Sequence, residues 1–460
     1  MNNKKPNILC MGILDIKGDE IKFLAQEVKK AGGNPIIMEI SLGHEVGWAD
    51  ISLSEVLAES GLEKEEVFKA SRSDAISLVG KAGAAKITKL YENNQIDGVI
   101  SWAGSVGTST ATMVMRALPI GFPKIMLSTL ASGDVSSWLG NKDIYIVNPV
   151  SEKGINRVTR KIIGNASSAI VGMAKYKDVP LTDAKPLVAL TAYGTTTPTV
   201  IRCEKFMNDR GWDSIIIHQV GTGATMEDLI DSGEITAVFD ITIGELSNTK
   251  YGSIYGISSE WEGERLTAAS RMGIPQIVCP GGLDQSAYGP INTVPEKYLE
   301  GFRDGSRVSY KNSGKPYIHN SAVTIMVPNK EETEELALEI ITKLNKTNGP
   351  TALIVPMKGW SAYDQSAEDA CVDKGWAKEN GDGPVWWPDP DNPKWSRRAT
   401  LMWDVFMKNW DRNNDNLDII KCDNHILDVE FAEFLNRCMG DMLDKKWKKG
   451  MYRDLKNVVE

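Results

Sequence analysis

The sequence predicts an α/β protein made of two Rossmann-like, doubly wound parallel-sheet domains with an interdomain cleft. Three observations carry this. Short, nearly all-apolar runs recur with helical stretches between them, the pattern of parallel strands covered on both faces. The alternation breaks at the polar stretch KYKDVPLTDAKP and then restarts. A chain of 460 residues is long enough for two or three domains.

The first domain, about residues 5–180, opens with a strand at Asn7–Leu14, a helix at Glu20–Ala31 and a strand at Pro35–Ile40. A long helical stretch, Ala70–Glu92, leads to a strand at Gly98–Trp102 and a helix near Ser109–Ala117. Lys124–Ser128 and Ile144–Val147 are further strands, and Asn156–Met173 is a closing helix. The second domain, about residues 185–445, places strands at Leu187–Thr191, Ser214–His218, Ala237–Ile241 and Gln276–Cys279, with helices at Thr197–Asp209 and Met226–Ser232. Ala322–Ile325, Glu331–Leu344 and Thr351–Pro356 continue the same alternation. Residues 372–412, rich in Trp, Pro, Asp and Asn, read as a long insertion. Core packing is its default role, with site coverage or partner docking as alternatives.

Composition removes several classes. A formal charge of −9 without a basic run argues against nucleic-acid binding. No apolar stretch is long enough to span a membrane, and the short run Ile8–Leu14 reads as a strand rather than a signal peptide. Six cysteines without paired spacing suggest reduced thiols of a cytoplasmic protein, not a disulfide frame or zinc knuckle.

In open parallel sheets, ligands gather beyond the carboxyl ends of strands, so the residues following each strand matter most. After the first strand, Asp15 and Lys17 precede a helix. The bland readings are a helix cap for Asp15 and a solvated surface position for Lys17. After the Val99 strand comes Gly104-Ser105-Val106-Gly107-Thr108-Ser109, where glycine admits an anion and the hydroxyls donate to it. The next strand runs into Ser128-Thr129-Leu130-Ala131-Ser132-Gly133-Asp134. Asp134 alternatively pairs with Lys124 or Lys142. No named phosphate motif is present, yet three such loops together favour an anion or nucleotide site.

The second domain carries a different set. His218, His319 and His425 flank short apolar runs, while Glu245 and Asp284 follow strands. If the fold converges them, they make general acid–base groups. A divalent metal on His218, Glu245 and His319 is the other reading. A structural hydrogen-bonding role is the default for each histidine, and His44 has no preferred role. Gly221-Thr222-Gly223 is a second glycine-rich loop, either a sharp turn or an anion seat. No GxSxG elbow supports a serine hydrolase.

These loops also carry a family resemblance. The stretches GILDIKGDE, WAGSVGTSTATMVMRALPIGFPKIMLSTLASGD, HQVGTGATMEDLI, FDITIGEL, GIPQIVCPGGLD, YIHN and HILDVEFA resemble the Tm-1-like ATP-binding proteins, UPF0261, in order along most of the chain. The resemblance implies two α/β domains, ATP bound by the N-terminal one, and homodimers or higher homo-oligomers. It sets no reaction. The combined expectation is a ligand-binding enzyme acting on a small oxygenated metabolite by hydrolysis or carbon–carbon cleavage. The alternative is an ATP-binding regulatory or interaction module without catalysis.

Overall fold

The computed structural model describes residues 5–176, 184–257, 263–369 and 381–459. The chain divides into two compact units, residues 1–182 and 183–460.

Unit 1 runs β1 (Asn7–Gly12), α1 (Leu14–Lys30), β2 (Asn34–Glu39), α2 (Leu53–Ala58), α3 (Lys64–Lys69), α4 (Arg72–Glu92), β3 (Gly98–Ala103), α5 (Ser105–Arg116), β4 (Lys124–Ser128), α6 (Ser136–Leu139), β5 (Tyr145–Val147) and α7 (Arg157–Tyr176). All strand pairs are parallel, in the order β2-β1-β3-β4-β5. The period-two rule explains why its strands are apolar throughout. Ile8 and Cys10 face a core shared with α1 and α7, while Leu9 and Met11 face one shared with α2, α4 and α5. Local signals start the helices: the Ser71 hydroxyl accepts from Asp74 N, which opens α4.

Unit 2 runs β6 (Leu187–Ala192), α8 (Thr197–Asp209), β7 (Asp213–His218), α9 (Gly223–Asp231), β8 (Ile235–Thr242), α10 (Glu245–Lys250), α11 (Ala268–Met272), β9 (Gln276–Gly281), β10 (Ser286–Tyr288), α12 (Glu296–Arg303), β11 (Tyr317–Asn320), β12 (Val323–Met326), α13 (Lys330–Leu344), β13 (Thr351–Pro356), α14 (Arg397–Asn409), β14 (Leu417–Cys422), α15 (Val429–Leu443) and β15 (Val458–Val459). Its main sheet has the order β15-β14-β13-β9-β8-β6-β7, parallel except for the short β15. Again alternate residues serve two cores. Ala352 and Ile354 of β13 face one, and Leu353 and Val355 the other.

Two expectations change here. Ala322–Ile325 does not continue the parallel alternation, because β12 pairs antiparallel with β10 and β11 in a separate three-stranded sheet. The connection from Asn320 to Val323 is too short for the crossover a parallel neighbour needs. The described part of the Trp-rich stretch packs inward: Trp395, Trp403 and Trp410 lie against the α13–α14 core. Lys421 Nζ sits 5.4 and 5.0 Å from the rings of Trp395 and Trp403. Residues 372–380 of that stretch lie outside the described residues. No described helix is long and apolar enough to cross a membrane.

Candidate functional site

In unit 1, β2 and β3 lie on opposite sides of β1, so the chain leaves β1 and β3 in opposite directions. That opens a crevice at their carboxyl ends, where sheets of this class bind ligands. A pocket of about 480 Å³ occupies it. Ile13, Asp15, Ile16 and Lys17 line it from the end of β1 and Ala103 to Gly107 from the end of β3. Val67 and Phe68 add an apolar wall, Arg72 stands at its rim, and Glu152 closes one side.

The two helix starts differ. At α1, the first N–H groups are already used, since Leu14 N and Asp15 N both donate to the Ser41 hydroxyl at 3.1 and 3.2 Å. At α5 the N-cap is Gly104 in an extended conformation, and no side chain caps the helix. Its first-turn N–H groups therefore give the crevice a positive end. Gly107 is sterically required: a Cβ there would come within 2.5 Å of the Ala103 side chain.

Lys17 is enclosed, not a solvated surface residue. Its Nζ donates to the Glu152 carbonyl and lies 5.4 Å from the centre of the Trp102 ring. Burial lowers its pKa, against the upward pull of Glu20 and Glu152. Asp15 is not a helix cap. Its Oδ2 accepts from Gly43 N and His44 N at 3.0 and 3.3 Å, which ties down the segment after β2. The exposed His44 ring stands 3.8 Å from the same oxygen. Asp15 Oδ1 is buried with no hydrogen-bond partner.

The third loop expected at this site is elsewhere. β4 lies one strand further from β1, so Ser128, Thr129, Ser132, Gly133 and Asp134 do not line the pocket. Thr108 and Ser128 are buried, with their hydroxyls 2.8 Å apart, which ties α5 to β4. Ser109 Oγ donates to Ser105 O and accepts from Trp138 Nε1. Asp134 accepts from Ser136 N, and it is Asp143 that pairs with Lys124. Asp15, Lys17, Gly104, Ser105 and Gly107 are thus brought together, without Thr108, Ser109 and the 128–134 loop.

Unit 2 spends its strand-end polar groups on itself. The N–H groups of Gly221 and Gly223, expected to seat an anion, donate to Glu245 Oε1 at 2.5 and 3.2 Å. Arg265, which sequence reasoning missed, lies 3.3 Å from Glu245 Oε2 through Nε. It also donates to Asp240 at 2.8 and 2.9 Å, to Glu227 at 3.1 Å and to Gln219 at 3.0 Å. Burial raises the pKa of Glu227 and Glu245, while the guanidinium pulls both down.

Asp284 and His425 converge on a residue the sequence pattern did not mark, Asp364 in the loop after β13. Ser361 Oγ donates to Asp284 Oδ2 at 2.6 Å, Arg398 donates to Asp364 at 3.2 Å, and His425 Nε2 lies 3.1 Å from the Asp364 carbonyl. Asp284, Asp364, Arg398 and His425 are all at most 1% exposed. The missed signal was GWSAYDQ, another glycine- and hydroxyl-bearing loop directly after a strand.

Burial pushes the Asp364 carboxyl up to about 7, opposed by Arg398 and reinforced by Asp284. Between about pH 4, where an unfolded Asp ionises, and pH 7, the folded chain holds this proton more tightly. The group therefore stabilises the fold at the acid end of that window and ceases to do so as pH rises. Asp364→Asn should flatten the decline in Tm between pH 4.5 and 7.5. An unchanged slope in a melting series would refute the assignment.

His218 is exposed at the end of β7 with its ring 6.1 Å from that of Tyr193. His319 is exposed on β11, its Nδ1 2.8 Å from Tyr363 Oη. The expected metal set of His218, Glu245 and His319 is not assembled. Glu245 is committed to Arg265 and two backbone N–H groups, and His319 to Tyr363. Among the described residues, no three His, Cys, Asp or Glu side chains are grouped to hold a metal ion.

Fold and pocket together define an α/β protein of two Rossmann-like units, with a ligand-sized crevice at the topological switch point of the first. Residues 6–179 match the N-terminal domain, and residues 185–376 the C-terminal domain, of the uncharacterised protein family UPF0261. The chain belongs to this family. A UPF0261 protein of Clostridium tetani is 36% identical over 447 residues, covering 96% of this chain and 100% of its own length. The C-terminal part beyond residue 376, including the stretch read as an insertion, therefore falls within a span shared with a relative. A UPF0261 protein of Rhizobium meliloti is 35% identical over 361 residues, covering 78% of this chain and 85% of its own. The ToMV susceptible protein tm-1 of Solanum lycopersicum is 29% identical over 392 residues, covering 80% of this chain and 50% of its own.

Proposed function

We propose that this protein binds a phosphorylated small molecule in the unit 1 pocket, with ATP the candidate that the family resemblance implies. The observation that carries the reading is the conjunction at the ends of β1 and β3. An uncapped helix N-terminus, an enclosed lysine and an apolar wall share one pocket of about 480 Å³, within the usual size range of ligand sites. The wall of Val67 and Phe68 suits a planar apolar group, and the α5 end suits an anion. A divalent ion would enter with the ligand's phosphates, as magnesium commonly does. Of the acid–base groups expected in unit 2, Glu245, Asp284, His319 and His425 are engaged in internal ties and His218 stands apart from them, which favours a binding role over a hydrolase or lyase.

A ligand that binds only the folded chain stabilises it by mass action, by about 2.7 kcal/mol at a hundredfold excess over Kd, and so raises its melting temperature. Millimolar ATP, with and without Mg²⁺, should raise Tm by several degrees. Lys17→Met should weaken binding at least about tenfold through loss of one charge-assisted contact. Absence of any shift with ATP, with or without Mg²⁺, would sink the nucleotide reading.

A further inference from the structure

The unit 1 pocket already contains an anion. Glu152 Oε1 lies 2.5 Å from where a Cβ on Gly104 would stand, so the carboxylate rests against the N-cap of α5. Carboxylates are favoured at such a helix end. The Glu152 carbonyl accepts from Lys17 Nζ, so one residue engages the lysine and lies against the helix end, the two cationic features of the pocket.

The surrounding segment, residues 148–154, carries a tight turn near its start, is tied to α1 at Gly154 and is strained between the two. Asn148 Oδ1 accepts from Val150 N at 2.7 Å, and Glu20 Oε1 accepts from Gly154 N at 3.0 Å. Val150, β-branched and 72% exposed, has φ of 65°, a conformation such residues rarely adopt. The strap does not saturate the pocket. Asp15 Oδ1 faces no hydrogen-bond partner, although its side chain is only 6% exposed and lines the same space, so it is open to an N–H or O–H of the ligand rather than to its phosphate.

Resting on the ligand reading above, we propose that Glu152 is a built-in counter-anion that holds the ligand's anionic seat and is displaced, with its strap, when ligand binds. The exchange sets the ligand class. A carboxylate ligand would replace one carboxylate by another and gain little. A phosphate monoester or polyphosphate brings close to two charges and three acceptor oxygens, so it gains at the helix end what a carboxylate does not. The site therefore selects phosphates.

Calorimetric titration of wild type and Glu152→Gln with ATP, inorganic phosphate and adenosine tests this at one fixed ionic strength. Gln keeps the shape and removes the charge, so ATP and phosphate should bind about five- to thirtyfold more tightly. Uncharged adenosine should gain nothing. Equal affinity for ATP in both proteins, or an equal gain for adenosine, overturns the role of Glu152 and leaves nucleotide binding standing. No binding of ATP to either folded protein removes both.

Discussion

Arg265→Met is expected to cost unit 2 about 3–5 kcal/mol, the loss typical of breaking a buried ion pair from one side. Methionine fills similar space, so the cost is electrostatic rather than a cavity. The guanidinium is 1% exposed and stands among Asp240, Glu227 and Glu245, whose side chains are at most 6% exposed. Without it, three buried carboxylates face one another in a medium that penalises charge. Glu227 also accepts from the N–H groups of Leu266, Thr267 and Ala268, which starts α11 and holds Leu266 at φ of 63°. The variant's carboxylates can relieve their repulsion only by binding protons. Burial already raises the pKa of Glu227 and Glu245, and the variant removes the guanidinium that pulls both down, so their contribution is favourable at low pH and fades as pH rises past the ordinary carboxylate range. The Arg265→Met deficit should therefore be larger at pH 8 than at pH 5. At about 2–4 °C per kcal/mol, the drop in Tm at neutral pH is roughly 6–20 °C. A fall under 2 °C, flat across that pH range, would mean the cluster is not held by its charge.

This cluster also shows what was legible in the sequence. Apolar runs bounded by turns give strands, and β4 and β13 occupy Lys124–Ser128 and Thr351–Pro356 as expected from pattern alone. The helix at Thr197–Asp209 is likewise marked locally, by proline in its first turn. Glu245 and Asp284 were recognisable as carboxylates beyond strand ends, yet their partners were not. Arg265 lies 20 residues beyond Glu245 and Asp364 lies 80 beyond Asp284, and only the order of strands brings them together. Whether a glycine-rich loop offers its N–H groups to a ligand or to an internal carboxylate depends on such long-range placement. At Gly221 and Gly223 the chain supplies the acceptor itself. At Gly104 no side chain caps the helix, and Glu152 rests there from the surface. Loop composition is nearly the same in the two cases, so the sequence does not separate them.

Gly359→Ala should be the most damaging single methyl in the described part of unit 2. The position has φ of 126°, where a side chain is strained in any surroundings, and its Cβ would stand 1.7 Å from the Asp364 carbonyl oxygen. That oxygen cannot swing aside as the end of a side chain would. It belongs to the backbone that meets His425 Nε2, and the His425 ring itself would be 3.0 Å from the new carbon. Relief requires the loops after β13 and β14 to separate, which also disturbs the Ser396 and Arg398 contacts on the Asp364 carboxylate. Strain and overpacking together suggest a loss of about 3–5 kcal/mol. The effect should be confined to unit 2. Lys17 and the α5 N-terminus lie in unit 1, so ATP affinity measured below the melting transition should change less than about twofold. If Gly359→Ala melts with wild type, the close packing of Gly359 on Asp364 is wrong. If ATP affinity falls together with stability, the pocket depends on unit 2, and ligand binding cannot be assigned to unit 1 alone.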